Sequence, residues 1–310
     1  FRLVFIALLL LIFTIGASAQ RLYFNRVNPI SKNNRAKIDH LAFDEQGFLW
    51  LGTDQGLFLT DGIFEKQYLP DSAKSSEIGY MAIDDNFIYS GWNDGTFTQF
   101  DLRKKEFTPI EKISNEAINK ILIDDKNRVW ISTRGEGIFL KTGSELKHYE
   151  FSDGLSDNNV NELAFNPTTG VLWAATDRGL SKLTSVGDSL LIENVSGLNG
   201  NIITAMTVDS MGTLWVGTYS GRIVGIKPVD ETIYTISIPK YWNTGSITKL
   251  KVIGDDLWIG TKHGIGIFGI SERRFRLSGG SEINEVIHDI VYDGQNRVLL
   301  STGNSSLLSA

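Results

Sequence analysis

The chain has 310 residues, with 30 Lys plus Arg against 36 Asp plus Glu, a net charge of −6 and no cysteine. That mild acidity disfavours nucleic acid, which needs a basic face, and anionic membrane surfaces for the same reason. The missing cysteines exclude disulfides, thiolate metal sites and cysteine nucleophiles.

The first element in chain order is a leader. Arg2 precedes an apolar run from Leu3 to Phe13, and Gly16-Ala17-Ser18-Ala19-Gln20 follows. A basic lead, an apolar core and an A-x-A site predict a secretory signal peptide over residues 1–19, cut after Ala19. The apolar segment is short of the roughly 20 residues that span a bilayer. Residues 20–310 then read as one all-β domain. Its first segment, Arg21 to Val27, has the makings of a strand but no partner nearby in sequence.

From Ile38 onward a short string recurs: Trp50-Leu51-Gly52-Thr53, Trp130-Ile131-Ser132-Thr133, Trp173-Ala174-Ala175-Thr176, Trp215-Val216-Gly217-Thr218 and Trp258-Ile259-Gly260-Thr261. Degenerate copies at Tyr89-Ser90-Gly91-Trp92 and Leu299-Leu300-Ser301-Thr302 fill the gaps. A period near forty residues with strands and tight turns is a propeller period. One repeat shows why. Ile118 to Asp124 alternates apolar and polar, Asp125-Lys126-Asn127 is a turn, Arg128 to Thr133 carries the Trp, Ile138 to Leu140 follows a second turn, and Leu146 to Phe151 ends the unit. These are strands A to D, from the axis outward.

Three residues before each anchor stand Gly47, Asn86, Asn127, Gly170, Gly212, Asp255 and Asn296, all tolerant of a left-handed backbone. Six before it, Asp44, Asp124, Asp209 and Asp293 are placed to accept from the turn amides. Two after it, every residue is Gly, Ala or Ser, so a neighbouring sheet can approach closely. The tryptophans themselves read as packing between blades. Seven anchors predict seven four-stranded antiparallel blades. The last copy stops after Ser306-Leu307-Leu308, one strand short, and Arg21–Val27 is the spare strand that closes the ring on its outer edge.

Asp153-Gly154-Leu155-Ser156-Asp157-Asn158-Asn159-Val160, with Gly170-Val171-Leu172-Trp173 and Thr176-Asp177-Arg178-Gly179-Leu180, resembles the two-component regulator propeller repeat. Asp44 to Leu57 resembles it equally. The resemblance covers nearly everything after the leader. It implies the exported, periplasmic sensor portion of a membrane-spanning histidine kinase from a Bacteroidetes-like bacterium, often one that senses oligosaccharides. It also implies downstream partners in the same parent protein (further blades, an immunoglobulin-like connector, a transmembrane helix that tethers the sensor, and a kinase) and action as a homodimer. No kinase residues lie in this segment.

The channel mouth and the B-to-C loops on the same face are the expected recognition surface for a polar small molecule or oligosaccharide. Its candidate residues are Asp39, His40, Trp92, Lys120, Arg134, Glu162, Arg178, Tyr219, Trp242, Lys249, His263, His288 and Asp289, with Trp92 and Trp242 offering stacking surfaces. The opposite face, with its repeated A-to-B turn, reads as scaffolding. A propeller hydrolase or lyase is the main rival class, and His40, His288 and Asp289 would be its cluster, since the first and last blades are neighbours in a closed ring. No fixed nucleophile or phosphate loop supports it. The expected cofactors and metals are none. A plain exported protein-interaction propeller is the third reading.

Overall fold

The computed structural model describes residues 24–27, 36–61, 63–70, 75–187, 189–278, 283–303 and 306–310. The leader, at residues 1–19, lies outside them. Seven antiparallel sheets form the propeller. Blade 1 is built from Ile38–Phe43, Leu49–Thr53, Gly56–Thr60 and Glu65–Tyr68 in strands A to D. Blade 2 has Ile78–Ile83, Phe87–Trp92 and Thr96–Asp101, and its outer place is split between two short pairings, Glu106–Phe107 and Glu111–Lys112. Blades 3 to 6 keep the four-strand order, with strands A at Ile118–Ile123, Val160–Asn166, Ile203–Val208 and Ile247–Ile253.

Blade 7 has strands A to C at Ile287–Tyr292, Val298–Thr302 and Leu307–Ser309. Its fourth strand is Asn25–Val27, paired antiparallel with Asn25 opposite Ser309 and Val27 opposite Leu307. The closing strand expected from the sequence is therefore in place, and its hydrogen bonds cover an edge that would otherwise template another chain.

The core is not one body but seven seams, one between each pair of adjacent blades. Trp50, Leu57, Ile78, Trp92 and Phe100 fill the seam between blades 1 and 2. Ile38, Leu41, Leu51, Phe58, Leu299 and Leu307 fill the seam between blades 7 and 1, so the ring is closed by packing as well as by strand pairing. The small residues after each anchor face the first residue of the next blade. A Cβ on Gly91 would come within 2.3 Å of Ile118, and one on Gly217 within 2.4 Å of Ile247.

The turn carboxylates do more than the sequence suggested. Asp124 Oδ1 accepts from the Lys126 and Arg128 amides, while Oδ2 accepts from the Trp130 indole at 2.9 Å. Asp44 and Asp209 hold Trp50 and Trp215 in the same way. Each of these aspartates thus fixes both its turn and the large ring packed below it. The left-handed turn position is less regular than expected. Gly47, Asn127, Gly170 and Gly212 have positive φ, but Asn86, Asp255 and Asn296 do not. In blades 6 and 7, Gly254 and Gly294 take the left-handed role one and two residues earlier, because those turns are built differently.

Candidate functional site

Every strand A carries a register shift between its first and third residues, from Ile38/His40 round to Ile287/Asp289. The bulge turns the second residue sideways. In blades 3 to 6 that residue reaches across to the next blade: Asn119 and Asn161 donate to the carbonyls of Val160 and Ile203 at 3.0 Å, and Thr204 and Thr248 donate to those of Ile247 and Ile287 at 2.5 Å. These polar side chains tie blades together and are not free to meet a ligand.

The third residue of each inner strand points to the axis: His40, Tyr80, Lys120, Glu162, Ala205, Lys249 and Asp289. They form a compact, charge-balanced group inside the channel, not a rim at its mouth. Lys120 pairs with Glu162 at 2.5 Å and Lys249 with Asp289 at 2.8 Å. The Lys120 ammonium lies 4.5 Å from the Tyr80 ring centre, and His40 stacks edge-on to Tyr80 at 5.0 Å. Asp289 also accepts from the Leu41 amide at 3.0 Å, which latches blade 7 to blade 1.

Burial decides the charge states. Burial pulls the His40 imidazole below its ordinary value, outweighing the nearby Asp289 carboxylate, and its Nε2 sits 2.8 Å from the Gly79 carbonyl. Burial also works against the Lys249 ammonium, but Asp289, Tyr80 and Glu162 overcome it and the shift is upward. The same pairing holds Asp289 down despite its burial. His288 is likewise lowered, mainly by burial, and lies 3.6 Å from Asp39, which also meets Lys37 at 3.0 Å. Lys251 stands two residues beyond Lys249 on the same strand face. Desolvation by the channel wall, with the Lys249 ammonium beside it, lowers its proton affinity.

Two cavities flank this arrangement. One, of about 550 Å³, follows the inner strands from Tyr80 and Lys120 to Asp84 and Val208, toward the A-to-B loops. It opens on the face read from sequence as scaffolding. Long paired side chains fill the axis at the other end, whereas Ala82, Ala164 and Thr207 leave room here. The second, of about 570 Å³, lies on the expected face, between blades 5 and 6, walled by Tyr219, Lys240, Trp242, residues 243–246 and Lys262.

The other candidates disperse. Trp92 is fully buried in the seam between blades 1 and 2, with its indole donating to Thr98 at 3.1 Å, so it offers no stacking surface. Tyr89, the residue at the anchor position of the same blade, packs in the opposite seam, between blades 2 and 3. Trp242 is also buried, its ring over Gly266 and 5.8 Å from Phe275, and only part of it reaches the cleft. Tyr241 beside it is the exposed ring. Arg134 is exposed and its backbone bridges to Asn159. Arg178 pairs with Asp157 at 3.1 Å. His263 is exposed next to Gly245 at the edge of the blade 5–6 cleft. Tyr80, Lys240 and Lys251 were not read as site residues. A degenerate repeat hid the first. The other two carried no local pattern.

The described residues thus form a seven-bladed propeller with an ion-paired axis and a lateral cleft between blades 5 and 6. Residues 197–220 match the family model of the two component regulator propeller. No curated protein matches the chain. Among solved structures it is similar to the extracellular domain of the putative hybrid two component system BT4673 from B. thetaiotaomicron, with TM-score 0.77, 18% identity, and coverage of 93% of this chain and 39% of that one. The corresponding domain of BT3049 from the same organism gives 0.75, 19%, 94% and 42%. The chain thus spans about two fifths of these ectodomains. Virginiamycin B lyase from Staphylococcus aureus gives 0.76 at 14% identity, with 93% of this chain and 98% of the lyase aligned.

Proposed function

We propose that this propeller is the exported ligand-sensing region of a two-component receptor. It takes a polar ligand such as an oligosaccharide and passes the signal to connector, membrane and kinase segments of the same parent protein, acting as a dimer. The family match carries this reading: residues 197–220 run into Tyr219 and Ser220, which wall the blade 5–6 cleft. The likeness to two sensor ectodomains supports it. The test is the continuous coding sequence together with a reporter strain. A downstream transmembrane helix and kinase, with a glycan-dependent response weakened by Tyr219→Ala, is the expected result. A reading frame without either segment would sink the proposal.

A lyase has one observation in its favour, the near-complete overlap with virginiamycin B lyase. Ring closure does bring His40 and Asp289 together. Yet Asp289 is bound to Lys249 and two backbone amides, and the His40 ring nitrogen faces a carbonyl. Neither is poised to move a substrate proton.

A further inference from the structure

The chain is acidic overall, yet the blade 5–6 cleft is walled by two lysines and no carboxylate. Lys240 and Lys262 are both exposed. Neither forms an ion pair with an acidic side chain among the described residues. This sets them apart from Lys120 and Lys249 in the channel, each held by its own carboxylate.

The cleft is also shaped for more than a bare ion. The Lys262 ammonium lies 5.0 Å from the centre of the half-exposed Tyr219 ring. That contact orients the ammonium without neutralising it. The Trp242 indole Nε1 is buried and has no hydrogen-bond partner in the structure. Thr244 and Ser246 add polar lining along the same wall, and the volume is about 570 Å³, enough for a small saccharide.

We infer that this cleft binds a saccharide bearing an anionic group, a uronate carboxylate or a sulfate ester, with Lys240 and Lys262 meeting the charge and the Tyr219 and Trp242 edges meeting the ring. The inference rests on the ligand-sensing reading above and adds the class of ligand and the place. A neutral sugar would leave both ammoniums unanswered. Opposite charge in a partly enclosed cleft is what discriminates the two.

The test is calorimetry on the whole chain with three probes: digalacturonic acid, a sulfated galactose disaccharide and neutral digalactose. One or both anionic probes should bind, at least tenfold more tightly than the neutral one. The effect of each of the two anionic probes separates carboxylate from sulfate recognition. Lys240→Met and Lys262→Met should each weaken binding roughly tenfold with melting unchanged, because both side chains are exposed. Lys262→Arg should retain binding, and added salt should weaken it. Equal binding of neutral and anionic probes, anionic binding indifferent to both lysine substitutions, or no binding of any probe would overturn the assignment. A neutral probe bound alone would overturn it while leaving polar-ligand sensing intact.

Discussion

Asp124→Asn is the most direct probe of how the repeat holds together. The Asp124 side chain is fully buried and accepts four hydrogen bonds: the Lys126 amide at 2.9 Å, the Arg128 amide at 3.0 Å, the Trp130 indole at 2.9 Å and the Arg128 Nε at 2.7 Å. Asparagine keeps one oxygen for the turn amides. It then turns an NH₂ toward two other donors, the indole and the guanidinium. Losing a bond to a buried charge costs about 1.5–3 kcal/mol, but Arg128 is partly exposed and can turn to water, so the sum is about 3 kcal/mol. At roughly 2 °C per kcal/mol for a domain of this size, the midpoint should fall by about 6 °C. Asp293→Asn is the internal control. Its second oxygen meets only the half-exposed Arg297 at 3.3 Å, with no indole, and its loss should be below about 1 kcal/mol. The pH dependence follows from the same bonds. Burial pushes the Asp124 carboxyl up, but the Trp130 and Arg128 donors outweigh it and hold it below its ordinary value. A carboxylate depressed in the folded state stabilises above its unfolded pKa, and the benefit is lost as pH falls through the folded value. The gap between wild type and Asp124→Asn in thermal melts should therefore hold down to about pH 4 and narrow only below it, as pH falls toward the depressed folded value. A midpoint for Asp124→Asn within about 1 °C of wild type at pH 7, or a larger drop for Asp293→Asn, would refute the reasoning.

Two further outcomes follow from other contacts. Gly217→Ala places a methyl 2.4 Å from Ile247 and should cost about 1–3 kcal/mol by overpacking, whereas Gly52→Ala meets its nearest neighbours at 3.1 and 3.4 Å and should cost much less; chemical denaturation of both variants checks the ranking. Lys249→Met leaves Asp289 uncompensated inside the channel and should cost roughly 3–5 kcal/mol, while Lys249→Met with Asp289→Leu should recover a good part of it; failure of the double variant to recover would refute the ion-pair account.

The architecture was readable because the repeat states it seven times. Trp, small residue and turn each recur at a fixed offset, so errors in one copy are corrected by the others. The closing strand was readable because a leftover strand and a missing strand matched. The site was only partly readable, since what a polar residue does depends on its bulge and on the blade beside it. Asn119 and Lys120 are adjacent in sequence, yet one bonds a neighbouring carbonyl and the other faces the axis. Trp92 and Trp242 both stood outside the repeat pattern and read as exposed, but each fills a gap in a seam. The unmet indole of Trp173 shows the same dependence. Position 167 is Pro where blades 1, 3, 5 and 7 have Asp, and the indole Nε1 has no partner.

Charge in this propeller is divided between two environments with opposite consequences. In the channel, Lys120 and Lys249 each face a carboxylate at 2.5–2.8 Å, and His40 is held below its ordinary pKa, chiefly by burial. A pair so enclosed is held by its own geometry, and removing either partner leaves a buried charge. The axis is therefore a structural hub that also joins blade 7 to blade 1 through Asp289 and Leu41. In the lateral cleft, the lysines have room around them and no such partner among the described residues. Their charge can be answered by something that arrives and leaves. Binding there would not require breaking the hub, and variants of the two regions should behave differently: channel variants lose stability first, cleft variants lose ligand first. That separation is the reason for placing recognition between blades 5 and 6, even though the axis holds more of the charged residues that the sequence brought forward.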